Sequence, residues 1–178
     1  MTARSIQPYE LIGLAERLVP ADAGTGRLRA VDLRRAVSTA YYALFHELIN
    51  QAVSELIGTN SDGPPQRSQV SRWFAHTDVK TLAGAATGTG GKPAVAAALG
   101  TPSADLARVA EAFVALQDAR HDADYDHDYE VERDEALLLI RTARTAIDAV
   151  QRLRKTGDPS FQRFLRLMLG AVKIAKVR

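Results

Sequence analysis

The chain is predicted to be all-α, an up-and-down bundle of about five to six helices. Apolar residues recur three and four positions apart along most of the sequence, which is the repeat of one helix face. No segment shows the apolar–polar alternation that is typical of a strand. The 178 residues are 46% hydrophobic and 25% charged, ordinary values for a globular protein. We therefore predict one domain over residues 1–178, with its core at about 30–150.

Three helices are predicted in the first part of the chain. The first covers residues 8–19 and is followed by a break rich in Gly, Pro and Ala. The second covers about 30–57, where pairs of apolar residues recur every four positions. Such a broad apolar stripe is typical of the central helix of a bundle. A shorter helix is predicted at 68–77, around Trp73 and Phe74.

The second part of the chain is predicted to begin with a loop. Residues 84–102 are rich in Gly, Ala, Thr and Pro, which favours a flexible connection. A helix then runs from Ser103, a favourable N-cap residue, to about Asp124. Another helix is predicted at about 132–155. Residues 158–178 are predicted to form a basic amphipathic C-terminal helix.

The composition excludes several classes of protein. The sequence contains no cysteine, which excludes a disulfide framework and thiolate chemistry and agrees with a reducing compartment. The first residues lack the apolar run of a secretory signal, and no segment has the roughly 20 apolar residues that a membrane helix needs. We therefore expect a cytoplasmic protein that does not enter a membrane.

Charge is unevenly distributed, although the net charge is only +2. Residues 104–135 hold eleven acidic residues and three arginines, a balance of −8. Residues 141–178 hold ten basic residues and two aspartates, a balance of +8. A basic segment of this kind can form a nucleic-acid surface. The alternative is that the two segments neutralise each other, within one subunit or across a dimer.

Residues 117–129 concentrate groups that can carry out chemistry. This segment contains one arginine, two histidines, two tyrosines and five aspartates. Arg120 comes four residues after Leu116 and so continues an apolar helix face. A cation in that position is costly to desolvate unless it is paired or used, which makes Arg120 a candidate functional residue. The structural alternative is an ion pair with Asp124.

Other aromatic and histidine residues have mainly structural interpretations. Tyr41 and Tyr42 are most simply core and interface residues, and His46 lies beside an apolar stripe. The segment at 72–76 reads Arg-Trp-Phe-Ala-His and mixes cationic with aromatic groups, which can stack on bases. The simpler interpretation is that its two aromatic residues anchor a short helix.

Two short motifs, one early and one late in the chain, resemble a known family when they are taken together. Residues 35–46 read Arg-Ala-Val-Ser-Thr-Ala-Tyr-Tyr-Ala-Leu-Phe-His, and residues 120–126 read Arg-His-Asp-Ala-Asp-Tyr-Asp. Together they resemble the HEPN superfamily (higher eukaryote and prokaryote nucleotide-binding domain) over about residues 30–150. The resemblance implies a bundle of four to five helices, usually dimeric. It implies either a metal-independent ribonuclease of a toxin–antitoxin or other defence system, or a non-catalytic module that binds a partner protein, a nucleotide or RNA.

The ribonuclease motif of that family is an arginine, four to six further residues, and a histidine. Here the longer spacing selects Arg120 and His127 as the catalytic pair. The resemblance implies that Arg120 holds the scissile phosphate and that His127 takes a proton from the ribose 2′-hydroxyl. The two side chains share a helix face only if the helix continues that far, and aspartate is a poor interior helix former. The alternative for His127 is an exposed loop histidine.

Four neighbours of this pair are expected to support it. His121 can bind phosphate, Tyr125 and Tyr129 can orient the base or the phosphate, and Asp124 can pair with the arginine. No metal or cofactor is expected. The calcium-loop spacing of the aspartates lacks its glycine, and Gly-Gly-Lys at 90–92 lacks the first glycine of a phosphate loop. Expected partners are a second copy of the chain, RNA, and an antitoxin or nucleotidyltransferase protein.

Overall fold

The computed structural model describes residues 7–21, 28–58, 64–90 and 92–170. In these residues the chain forms eight α-helices and no strand, so the predicted all-α bundle is confirmed, with more helices than expected. None of the described helices is long and apolar enough to cross a membrane. The helices are α1 (Pro8–Leu18), α2 (Ala30–Ile57), α3 (Pro64–Ser71), α4 (His76–Thr87), α5 (Pro93–Leu99), α6 (Ala104–Tyr125), α7 (Arg133–Thr156) and α8 (Pro159–Leu167).

Helix α2 is the centre of the bundle, as its broad apolar stripe predicts. It packs against α1, α6 and α7 and also contacts α3 and α8. Its middle turns are buried on nearly every side, with Tyr41, Leu44 and Leu48 fully inaccessible to solvent. Such burial removes a large apolar area from water and is the main source of stability in a helical protein of this size. The helix ends at Ile57 and is followed by Gly58, whose φ of 80° favours glycine.

Helices α6 and α7 complete the core around α2. The predicted N-cap of α6 is present, because the Ser103 hydroxyl accepts a hydrogen bond from the Leu106 amide at 3.3 Å. Helix α7 is amphipathic and buries a stripe that includes Ile140, Ile147 and Val150. The two helices contact each other as well as α2. This arrangement brings the end of α6 beside the first half of α2.

The predicted loop at residues 84–102 is wrong. Helix α4 extends to Thr87, and Pro93–Leu99 forms α5. Glycine, threonine and proline lower the helix propensity of this segment, but its small residues allow close packing of α4 against α6. Val95 and Leu99 of α5 are buried. The burial of these side chains outweighs the unfavourable local propensity.

The short helix predicted at 68–77 is wrong in its bounds. Helix α3 ends at Ser71 and α4 begins at His76, so both aromatic residues between them lie in the connection. Phe74 is only 7% exposed and anchors this connection, whereas Trp73 is 60% exposed and does not. His76, which the prediction placed inside the short helix, instead begins α4.

The predicted C-terminal helix at 158–178 is described only in part. Helix α8 begins at Pro159, after the N-cap Asp158, whose carboxylate accepts a hydrogen bond from the Phe161 amide at 2.8 Å. Phe161 and Phe164 of α8 are buried in the core. The basic positions after residue 170 lie outside the described residues.

Candidate functional site

Arg120 lies near the end of α6 and is held by a carboxylate. Its side chain is 18% exposed, and its Nε lies 2.7 Å from Oδ2 of Asp124, one turn further along the helix. The Nε–H bond is buried and is not directed at that oxygen, so the contact is charge pairing rather than a directed hydrogen bond. Oδ1 of Asp124 accepts a hydrogen bond from Ser38 of α2 at 2.5 Å. The ion pair with Asp124 that the sequence suggested is therefore present, and the Ser38 hydrogen bond connects its carboxylate to α2.

Three tyrosine rings surround the guanidinium group. Nη2 of Arg120 donates to the hydroxyl of Tyr42 at 2.9 Å. The guanidinium carbon lies 5.9, 5.5 and 5.4 Å from the ring centroids of Tyr41, Tyr42 and Tyr125, which is within cation–π range. Burial lowers the pKa of Arg120, but Tyr42 and Asp124 outweigh burial and leave that pKa raised. The guanidinium therefore remains cationic and is oriented by its neighbours.

His76, the first residue of α4, contacts the same tyrosines. Its Nδ1 is hydrogen bonded to the Tyr41 hydroxyl at 2.6 Å, and its ring stacks on Phe45 with centroids 3.8 Å apart. The His76 centroid lies 5.7 Å from that of Tyr41 and 5.9 Å from that of Tyr42. Burial, and next the charge of Arg120, lowers the pKa of His76. This side chain is therefore neutral at pH 7.

Tyr41 and His46 form the inner side of this cluster. Tyr41 is fully buried, as its core interpretation requires, and burial raises the pKa of its hydroxyl. His46 is half-buried, its ring lies near those of Tyr42 and Phe45, and burial lowers its pKa. Both side chains are uncharged at neutral pH and add no charge to the cluster.

Two nitrogen atoms of the cluster remain open. Nη1 of Arg120 and Nε2 of His76 make no hydrogen bond or ion pair with any described residue. Both atoms keep some exposure to solvent, although the two side chains are half-buried. Neither nitrogen would give up a hydrogen bond to a described residue on binding a ligand.

Arg120 and His127, the predicted catalytic pair, do not lie on one helix face. Helix α6 ends at Tyr125, and His127 lies two residues later in an exposed turn. Among the described residues, His127 makes no side-chain hydrogen bond, ion pair or ring contact with Arg120 or any other residue. The helix continuation that the shared face required is therefore absent, and the catalytic role of His127 stays a prediction.

The expected supporting residues lie in two different surroundings. The His121 and Tyr125 rings are 5.2 Å apart, and Tyr125 is 62% exposed above Arg120. The Tyr129 hydroxyl instead donates to Glu135 at 3.1 Å. Burial, and next the Glu135 charge, raises the pKa of Tyr129 to about 12. His121 and Tyr125 thus lie beside the cluster, whereas Tyr129 is engaged elsewhere.

Arg34 of α2 holds the end of α6 and was not identified from the sequence. Its Nε donates to the Ala123 carbonyl at 2.8 Å, and its Nη1 donates to the Tyr129 carbonyl at 3.3 Å. Its Nη2 donates to the carbonyls of Asp122 and Asp126. The last carbonyls of a helix have no partner within that helix, so a cation is well suited to this position. Because the acceptors lie 88 to 95 residues away, only the fold reveals the contact.

Comparisons with protein-family models, curated proteins and solved structures find no match for this chain. The resemblance to the HEPN superfamily therefore rests on the two sequence motifs. The fold brings these motifs together: residues 35–46 supply Ser38, Tyr41 and Tyr42, and residues 120–126 supply the arginine and the carboxylate. Among the described residues, no group of three or more His, Asp or Glu side chains is placed to hold a metal ion.

Proposed function

We propose that this protein binds RNA through Arg120 and cleaves it as a metal-independent endoribonuclease of a prokaryotic toxin–antitoxin or defence system. The observation that carries the proposal is the arginine itself, which is cationic, held by Tyr42 and Asp124, and open at Nη1. A guanidinium that is already oriented loses little freedom on binding and stabilises phosphate oxygens by charge and directed hydrogen bonds. The meeting of the two HEPN-like motifs at this arginine supports the same function.

Cleavage without a metal also needs a group that removes the proton of the 2′-hydroxyl. His127 is the proposed base, because it is exposed and unpaired in the turn after α6 and so is free to meet a substrate. Arg120 stabilises the negative charge that grows on the phosphoryl oxygens. The expected product carries a 2′,3′-cyclic phosphate.

A non-catalytic binding module is the second candidate function. The aspartates around the arginine favour it, because Asp126 and Asp128 are exposed, Asp122 is half-buried, and a negative surface repels an RNA backbone. Asp118 is paired with Lys80, but the described structure contains no cation paired with the other three. Such a surface suits a basic region of a partner protein, for example an antitoxin or a nucleotidyltransferase.

The deciding experiment is cleavage of end-labelled RNA by purified protein in EDTA. We expect cyclic-phosphate products from the wild type and a loss of about 100-fold or more in rate for Arg120→Ala and for His127→Ala. Arg108→Ala is the matched control, because Arg108 is an exposed arginine on the same helix, and we expect it to cleave at the wild-type rate. Equal rates for Arg120→Ala and the wild type would overturn the proposed site. A folded wild type that leaves RNA intact and captures a partner protein would establish the second candidate.

A further inference from the structure

We propose that His76 is a second phosphate-binding residue, a neutral imidazole that donates its Nε2–H to the phosphate that Arg120 binds, with Tyr41 holding the required tautomer. The inference rests on the proposed function in taking this phosphate to be that of an RNA backbone. His76 lies on α4, outside both motifs that suggested the family. It enters the site only through the fold.

The position of His76 supports this role. The guanidinium carbon of Arg120 lies 5.9 and 5.5 Å from the Tyr41 and Tyr42 ring centroids, and the imidazole lies 5.7 and 5.9 Å from the same two. Stacking on Phe45 prevents the imidazole from turning away. The arginine and the histidine therefore contact one pair of rings, and the charge of Arg120 acts on the imidazole, which places both side chains in one cluster.

The hydrogen bond from the buried Tyr41 hydroxyl determines the tautomer of His76. Tyr41 is fully buried, and the only partner of its hydroxyl among the described residues is Nδ1 of His76. If Nδ1 carried the hydrogen, the buried hydroxyl hydrogen would have no acceptor, which is unfavourable. Tyr41 therefore donates and Nδ1 accepts. A neutral imidazole that accepts at Nδ1 carries its hydrogen on Nε2, the open atom.

The charge state of the surroundings preserves this tautomer. Burial, Arg120 and His46 all lower the pKa of His76, so the ring is neutral at pH 7. Burial raises the pKa of Tyr41, which keeps its hydroxyl hydrogen available for donation. Protonation of His76 would place a hydrogen on Nδ1 and force the Tyr41 hydroxyl to turn.

The open nitrogen and hydroxyl groups around the guanidinium are donors, which favours an anion as the ligand. The first two donors are Nη1 of Arg120 and Nε2 of His76. The third is the Tyr42 hydroxyl, which accepts from Nη2 of Arg120 and whose own hydrogen has no acceptor among the described residues. Three such donors match the several acceptor lone pairs of a phosphate better than the planar pair of oxygens of a carboxylate.

The test is a long-range ¹H–¹⁵N NMR spectrum of the full chain at pH 7, which distinguishes the tautomers of its four histidines. We expect the His76 signals of the Nε2–H form, and we expect inorganic phosphate to shift its Nε2–H resonance saturably. Acetate at equal ionic strength is the control and should leave that resonance in place. An Nδ1–H tautomer, or phosphate shifts at other histidines with none at His76, would overturn the inference.

Variants separate this inference from the proposed function. His76→Phe keeps a ring on Phe45 without a donor, and we expect phosphate affinity to fall at least about fivefold. Tyr41→Phe should produce a mixture of His76 tautomers, whereas the control Tyr9→Phe, which removes a hydroxyl bonded to Asp148, should leave His76 unchanged. Unchanged phosphate affinity in His76→Phe refutes the inference even if RNA is cleaved. Phosphate binding at His76 without RNA binding supports it and refutes the RNA function.

Discussion

Arg120 shows how one side chain can carry charge on an apolar helix face. Leu116, one turn earlier on the same face, is fully buried, whereas Arg120 keeps 18% of its side-chain surface. Desolvation of the cation is offset by the Asp124 carboxylate, the Tyr42 hydroxyl and the tyrosine rings. The sequence marked Arg120 as unusual by its position. The partners from α2 became known only when the helices were packed.

The two half-buried histidines predict a pH dependence of stability. His46 and His76 have pKa values below the ordinary 6.5 in the folded protein, so the unfolded chain binds protons more readily. Their contribution to stability is complete above pH 6.5 and is lost as the pH falls through 6.5 towards the folded values. We expect the free energy of unfolding to decline from pH 7.5 to 5.5, by no more than about 1.4 kcal/mol per pH unit for each histidine.

Urea denaturation across this pH range measures the effect. The double variant His46→Gln, His76→Gln should show a shallower slope than the wild type. The control His127→Gln removes an exposed histidine and should keep the wild-type slope. Other groups titrate alike in all three proteins, so the difference in slope isolates the two histidines. Identical slopes in the double variant and the wild type would contradict the assignment.

A buried carboxylate between α2 and α7 predicts a pH dependence of stability that is opposite in sign to that of the two histidines. Oε1 of Glu47 accepts hydrogen bonds from the side-chain amides of Gln51, at 2.6 Å, and Gln151, but burial still raises its pKa. Protonated Glu47 favours the folded state, and this stability is lost as the pH rises through the folded pKa. We expect Glu47→Gln to increase the free energy of unfolding at pH 7 by about 1 kcal/mol, with the gain disappearing towards pH 4.5.

Thermal and urea unfolding at both pH values test this expectation. Glu55→Gln is the control, because Glu55 pairs with the exposed Arg166 and should change stability by no more than about 0.5 kcal/mol. A less stable Glu47→Gln at pH 7 would show that the two amide hydrogen bonds to the carboxylate outweigh its desolvation.

At the scale of helices, Arg34 binds the end of α6 from another helix. Aspartates predict an early end to this helix, and it does end at Tyr125, with four carbonyls near the end bound by one guanidinium from α2. This contact also positions the turn that carries His127. The end of α6 is therefore determined jointly by local propensity and by a contact from another helix.

We expect Arg34→Met to lower the free energy of unfolding by about 2 kcal/mol, because several hydrogen bonds from a charged group are lost. Amide hydrogen exchange at residues 122–126 should accelerate more than elsewhere in α6. Arg35→Met is the matched control, since Arg35 is the next residue and is exposed. Equal stability and exchange in the two variants would show that Arg34 does not hold the end of α6.

At the scale of the whole molecule, the opposite charges of the two segments are largely unpaired with each other. In the described part of the chain, one ion pair joins them, Arg152 to Asp105 at 3.9 Å. The other basic side chains of α7 and α8 that form ion pairs contact Glu16 and Glu55. Among the described residues, direct ion pairing between the two segments is therefore slight.

We predict a homodimer that includes the Arg120 face and depends on salt. Sedimentation velocity should show dimers at 0.1 M NaCl and more monomer at 1 M, because the screening length falls from about 10 Å to about 3 Å. Tyr125→Asp should weaken the dimer about tenfold or more, since it replaces an exposed ring beside Arg120 with a charge. Leu138→Asp, at an exposed apolar residue of α7, is the comparison. A monomer at both salt concentrations would contradict the prediction.

The sequence by itself determined the all-α class, the positions of α1, α2, α6 and α7, and the cap at Ser103. These features depend on the spacing of apolar residues and on hydrogen bonds between neighbours, which are local properties. The tertiary structure alone decided that residues 84–102 contain helix, that Arg34 binds the end of α6, and that His76 joins Tyr41. The physical reason is that these contacts connect segments far apart in sequence, with separations of 35 positions for His76 and Tyr41 and of 88 or more for Arg34 and its acceptors. Their energy exists only once the helices have packed.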